Sequence, residues 1–267
     1  MLDRPRAARD AGFTAVEFWW PFATPTPSDT EVAAFVRAIE DAGVQLTGLN
    51  FAAGDMPAGD RGILSHPEST RDFRDNVEIA VGIAETLGTK AFNALYGNRA
   101  DDVSPETQDD IAAANLAFAA LTASRIGATV LVEPVSGAPR YPLKTAADAI
   151  GVIDRVSSEY GRTNVRFLAD LYHLQVNGDD VAAAISAYGD RVGHIQIADA
   201  PGRGEPGTGD LALGTYLDQL IGQGYDGYVG LEYKATREDT FDWLPSGERG
   251  ADGVNTDTFK QAETRIS

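Results

Sequence analysis

The chain has 267 residues, 43% hydrophobic and 23% charged, which is enough for one barrel or two small domains. Its 40 acidic residues against 22 basic ones leave a net charge of −18, a field that repels nucleic acid and acidic membrane surfaces, and no Lys/Arg cluster overrides it. With no cysteine, disulfide scaffolds, thiolate catalysis and zinc–cysteine sites are excluded; with no membrane-length apolar run and no secretory leader in MLDRPRAARDAG, a cytoplasmic protein is expected.

Along the chain one unit recurs: a helical stretch, a glycine, a few residues, then a short apolar strand. Gly12 precedes AVEFWW, Gly43 precedes VQLTGLNF and Gly88 precedes TKAFNAL. Gly127 precedes ATVLVEP, Gly161 NVRFLAD, Gly189 VGHIQIAD and Gly224 YVGLEY. Glycine suits the left-handed residue that ends a helix, because it has no Cβ to clash there. Helix starts are also legible. Ser28-Asp29-Thr30-Glu31 has capping-box spacing, and Ser104-Pro105-Glu106 places proline and an acid in a first turn.

Successive helix–strand units without a long linker predict one α/β domain, residues 1–267, with a barrel core of about 12–234 and a polar extension of about 235–267. No G-x-G-x-x-G follows a strand, which disfavours a doubly wound nucleotide-binding sheet and favours a (β/α)₈ TIM barrel. Seven strands are visible and the chain starts inside a helix, so the barrel lacks its first N-terminal strand. We expect a natural start upstream of Met1, with roughly 10–20 further residues supplying that strand. Failing that, we expect an open seam near residues 15–20 and 228–233, and weakened stability.

In such a barrel the active site forms at the strands' carboxyl ends. Four successive units end on a polar residue in apolar company: Glu133, Asp170, Gln196 and Glu232. Singly, Glu133 could cap a loop and Asp170 could cap the next helix. Together, three carboxylates in a dry barrel mouth repel unless a cation neutralises them, and the all-oxygen donor set favours Mg²⁺ or Mn²⁺. Arg203, in the glycine-rich loop ADAPGRGEPGTGDL, could take a substrate carboxylate with its fork or simply balance Glu205 at the surface. His173 could donate to substrate or pack in a loop, and His194 reads as a satisfied core histidine. Glu17, Trp19, Asn50 and Asn93 could line the pocket or support strand ends. Asp55, Asp60 and Arg61 read as a solvated polar loop. Exposed Trp19, Trp20 and Phe22 point to a lid or to an interface in a homo-oligomer.

The stretches GFTAVEFWWPF, LNFAAGDMPAGDRG, LVEPVS, FLADLYHLQ, GHIQIADAPGRGEPGTGDL and GYDGYVGLEY, from Gly12 to about Lys234, resemble the hydroxypyruvate isomerase family of the xylose-isomerase-like barrel superfamily. The resemblance implies a (β/α)₈ barrel binding one divalent ion at Glu133, Asp170, Gln196 and Glu232, with Glu133 and Glu232 as the acid–base pair. It implies a small sugar-acid substrate and interconversion of hydroxypyruvate with tartronate semialdehyde through an enediolate. Arg203 is the candidate for the substrate carboxylate, assisted by His173 or Lys234, with Asn93 and Glu17 nearby. A four-carbon acid such as 2-oxo-tetronate is the nearest alternative substrate. An abasic-site endonuclease of the same superfamily is a distant alternative, opposed by the −18 charge and by only three histidines, His66, His173 and His194.

Overall fold

The computed structural model describes residues 1–251 and 253–264. Its helices are α1 (Arg4–Asp10), α2 (Asp29–Ala42), α3 (Thr70–Leu87), α4 (Pro105–Ser124), α5 (Ala146–Tyr160), α6 (Leu171–Asn177), α7 (Val181–Tyr188), α8 (Leu213–Gly222) and α9 (Thr256–Thr264). The strands are β1 (Ala15–Phe18), β2 (Gln45–Asn50), β3 (Ala91–Asn93), β4 (Thr129–Val132), β5 (Val165–Asp170), β6 (Val192–Ile197) and β7 (Val229–Leu231). All pair in parallel in the order β1 to β7, so the seven expected strands are the seven found among the described residues. Among the described residues no helix is long and apolar enough to cross a membrane.

Local chemistry accounts for the helix boundaries. The Ser28–Glu31 capping box forms in both directions, Glu31 Oε2 accepting from Ser28 N at 2.9 Å and Ser28 Oγ from Glu31 N at 3.4 Å. Such a cap stabilises a helix start by about 1 kcal/mol. From there α2 buries Phe35 and Ile39, one turn apart, and stops at Gly43, left-handed at φ 64°. Gly189 departs from the expectation. Its φ of −60° is right-handed and needs no glycine for backbone reasons. A Cβ there would meet the end of the Gln223 side chain, which would have to shift to admit it.

The seam is present between β1 and β7, neither of which has a second strand neighbour among the described residues. A cavity of about 550 Å³ lies along it, touching Val16, Glu17, Tyr228 and Gly230 on the barrel side. Phe241 and Leu244 wall its outer side. The segment after Lys234 is therefore more than the polar extension expected. Trp243, Leu244, Phe259 and Ala262 are buried, and Phe241 meets Phe13 edge-on with ring centres 5.0 Å apart. Arg249 donates to the carbonyls of Ala11, Phe241 and Leu244, each at 3.0 Å, tying the tail to the end of α1. Sparse apolar residues among many charges hid this packing from a reading of the sequence. Among the described residues the tail covers the seam from outside without adding a strand.

Candidate active site

All four polar residues lie at or next to the carboxyl end of their strands. Asp170 pairs with Gln196, and Gln196 with Gly230; Glu133 follows Val132, the last residue of β4. Glu232 follows β7, and its amide donates to Ile197 O at 2.9 Å. Ligand atoms of Glu133, Asp170, His173 and Glu232 all lie within 4.8 Å of one another. Asp170 caps the next helix and also faces the other acidic groups. Its Oδ1 caps α6 by accepting from His173 N at 3.1 Å, while Oδ2 faces the cluster, 3.6 Å from His173 Nε2.

Crowding sets the electrostatics. Burial, then the negative charges of Glu232 and Asp170, push Glu133 well above the usual carboxylate range. Burial and then Glu232 do the same to Asp170. Glu232 is also raised by burial, against the opposing charge of Arg203. A cation among these oxygens would reverse the repulsion.

Two buried polar atoms test whether a metal fits. Gln196 Oε1 and Asn93 Oδ1 have no hydrogen-bond partner, an arrangement that is costly unless something else takes the lone pairs. Asn93 commits its Nδ2 to Glu133 Oε2 at 2.6 Å, so it supports a carboxylate of the cluster. Oxygen donors from three acids and an amide suit a hard divalent cation.

His173 belongs to the cluster in space but offers it a proton. Ser136 N donates to His173 Nδ1 at 3.1 Å, and the Ser136 hydroxyl lies 2.6 Å from the same nitrogen. An Nδ1 that accepts leaves the hydrogen on Nε2, the atom facing Glu133 and Asp170. Burial, then the positive charges of Arg203, Lys144 and Arg61, push its pKa down to about 3, so it is a neutral N–H donor. Ser136 was not singled out from the sequence, and nothing local marked it.

Arg203 sits at the rim. Its Nη2 lies 3.0 Å from Glu232 Oε2, its Nε donates to Glu232 O at 3.2 Å, and its guanidinium stands over the Tyr172 ring at 5.2 Å. It does not balance Glu205. That carboxylate is wholly buried and accepts from the hydroxyls of Thr236 and Thr240 at 2.5 and 2.7 Å, and these bonds outweigh burial to lower it to about 2. Lys234 is not brought into the cluster. Its amide donates to Arg203 O at 2.7 Å, and its side chain is exposed.

The Glu17 carboxylate turns inward, with Oε2 2.6 Å from His194 Nε2 and Oε1 accepting from Gln196 Nε2 at 3.0 Å. Burial alone would raise Glu17, but His194 and these hydrogen bonds hold it below the usual range. His194 is the satisfied core histidine expected. Trp19 is half-exposed and donates Nε1 to Glu232 Oε1 at 3.1 Å. Trp20 and Phe22 are not exposed as expected. They pack edge-on with ring centres 5.0 Å apart, and Phe22 continues onto Phe35, because the turn after β1 folds them back on the core. Asn50 is a buried strand-end residue paired with Asn93. The Asp55–Arg61 loop bonds largely to itself, Asp60 Oδ2 accepting from Asp55 N at 2.8 Å and Arg61 donating to Met56 O at 3.1 Å.

Among known proteins, a Streptomyces coelicolor protein provisionally named hydroxypyruvate isomerase is 54% identical over 258 residues, covering 94% of this chain and 92% of that one. Hydroxypyruvate isomerase of Escherichia coli is 32% identical, covering 91% and 92%. A 2-oxo-tetronate isomerase of Cupriavidus necator is 35% identical, covering 87% and 86%. Among solved structures, one described as AP endonuclease, family 2, from Brucella melitensis superposes with a TM-score of 0.80 at 31% identity, covering 91% and 92%. The family model for the xylose isomerase-like TIM barrel matches residues 5–252. On that match and these identities, the chain belongs to the xylose isomerase-like TIM barrel family and groups within it with the hydroxypyruvate isomerases.

Proposed function

We propose that this chain is a sugar-acid isomerase that interconverts hydroxypyruvate and tartronate semialdehyde. The observation that carries this reading is the set of three crowded carboxylates, Glu133, Asp170 and Glu232, beside the unpartnered Gln196 Oε1. With Gln196 as the fourth oxygen donor, these residues would hold Mg²⁺ or Mn²⁺. Bound there, the divalent ion would polarise the carbonyl and hydroxyl oxygens of the substrate and offset the charge of an enediolate.

The chain's own residues account for the rest. The reaction removes a proton from C3 of hydroxypyruvate and returns one to C2, while the C3 hydroxyl proton is lost and the C2 oxygen gains one. Glu133, after β4, and Glu232, after β7, serve as the pair that takes and returns the carbon-bound proton. His173, neutral with its hydrogen on Nε2, donates to a substrate oxygen. Arg203, fixed on Tyr172 and Glu232 at the rim, presents its fork to the substrate carboxylate.

The relative named 2-oxo-tetronate isomerase favours a second substrate of the same chemistry. The likeness to a structure described as an AP endonuclease raises abasic-site cleavage, which the −18 charge disfavours. Turnover of hydroxypyruvate, 2-oxo-tetronate and an abasic-site duplex by one preparation tests all three. We expect hydroxypyruvate to have the highest kcat/KM and the duplex to be neither bound nor cut. Cleavage of the duplex without sugar-acid turnover would overturn the proposal.

A further inference from the structure

We infer that Glu17 is a positioning residue that fixes which end of the Gln196 side-chain amide faces the carboxylate cluster. The inference rests on the reading of Gln196 as an oxygen donor proposed above. An ionised carboxylate only accepts hydrogen bonds, so of the two ends of the Gln196 amide only the NH₂ end can face Glu17 Oε1, 3.0 Å away. Rotating the amide by half a turn would set oxygen against oxygen. The bond therefore sends Gln196 Oε1 the other way, where it is buried and unpartnered. Gln196 stands between Asp170 and Gly230 in the sheet, with Glu232 two residues beyond Gly230, so the cluster flanks it.

Glu17 is itself held in one pose. Its second oxygen is taken by His194 Nε2 at 2.6 Å. Across the seam, a Cβ on Gly230 would collide with Glu17 Oε1 and press on Gln196 Cγ, so the glycine of β7 leaves the space this pair occupies. A strand of seam geometry thus orients a side chain of the continuous wall, through a contact 179 residues apart in sequence.

Calorimetric titration of the full chain with Mn²⁺ tests this. Glu17→Gln can present either end of its own amide and no longer dictates the orientation. We expect it to weaken Mn²⁺ binding by about 10- to 100-fold, the range typical when a group behind a metal ligand is lost. Gln196→Ala should weaken binding to a similar degree, and Glu17→Gln added to Gln196→Ala should weaken it no further. Glu17→Asp, which keeps an acceptor, should recover part of the affinity, and it carries the test if Glu17→Gln fails to fold. Wild-type affinity in Glu17→Gln, or additive losses in the double variant, would overturn the positioning role alone. Absence of Mn²⁺ binding by the wild type, or binding unchanged in Asp170→Asn, would overturn the metal reading and this inference with it.

Discussion

Strands β5 and β6 and strands β1 and β7 carry the same kinds of side chain to the same end of the barrel in different surroundings. In β5 and β6 every residue but one is buried in each, Arg166 and Gly193 being the exceptions, and each strand is paired on both sides. In β7 no residue is fully buried, and in β1 only Phe18 is. Among the described residues each has one strand neighbour, and each looks onto the seam cavity. The continuous wall supplies Glu133, Asp170 and Gln196; the seam supplies Glu232, Glu17 and Trp19. What joins the two at the site is side-chain chemistry: Trp19 to Glu232, Glu17 to His194 and Gln196, and Arg203 to Glu232. Where backbone pairing is missing, polar side chains fix the relative positions of the functional groups.

Removing the metal is expected to have the largest effect, because one cation would hold oxygens from both regions. Chelation should abolish hydroxypyruvate turnover, and Mg²⁺ or Mn²⁺ should restore it. Full activity in metal-free protein would contradict the proposed site. The metal-free protein should also show a specific pH dependence. Glu133, Asp170 and Glu232 have folded pKa values raised above their unfolded ones. Their contribution to stability is therefore present in acid and lost as pH rises above the ordinary carboxylate range. His173, depressed to about 3, acts oppositely, its contribution being complete above its ordinary value near 6.5 and lost as pH falls toward 3. Melting curves at about pH 5 and about pH 8 should show the metal-free protein losing stability at the higher pH and Mn²⁺ offsetting the loss.

The glutamate pair comes next. Glu133→Gln on the wall and Glu232→Gln at the seam should each lower kcat by about 10²–10⁴-fold while leaving the fold intact, if both serve proton transfer. A seam variant with near-normal kcat beside an inactive wall variant would break the symmetry of their roles. Backbone exchange sharpens the comparison without chemistry. Amides of β1 and β7 should exchange with deuterium at least about tenfold faster than those of β5, since local opening is easiest where burial and pairing are least. Equal protection would mean the tail closes the seam as firmly as a strand.

The glycine-and-strand repeat made the strand count legible, because helix ends and buried parallel strands have local signatures. The four polar residues at strand ends were legible for the same reason: a single acid or amide in an apolar run stands out. What joins them was not. Trp19 meets Glu232 across 213 residues and Glu17 meets His194 across 177, and no local pattern encodes a partner at that distance. Glu17 could line the pocket or support a strand end by its position alone, and only the fold shows its carboxylate meeting His194 and Gln196. Ser136, which sets the proton of His173, carries no signature in its own segment. Gly189 shared the repeat's pattern yet is right-handed, with the end of the Gln223 side chain as its neighbour.

The smallest effect is expected at Trp19, and it asks how much the seam depends on its side-chain links. Trp19→Phe keeps a large aromatic ring beside the barrel mouth and removes one donor, the Nε1–H on Glu232 Oε1 at 3.1 Å. A hydrogen bond to a charged group contributes about 1.5–3 kcal/mol when sheltered. Trp19 is 50% exposed, so water replaces much of what is lost, and Glu232 keeps Arg203 at 3.0 Å. The surviving ion pair should hold the carboxylate near its place, and kcat/KM for hydroxypyruvate should fall only about two- to fivefold. Arg203→Lys, by contrast, removes the fork that ties Glu232 through both its side chain and its carbonyl, so it should cost more. Steady-state kinetics of the two single variants and their combination would order the links. If Trp19→Phe proves the more damaging, the indole rather than the guanidinium is what holds Glu232 at the open side of the barrel.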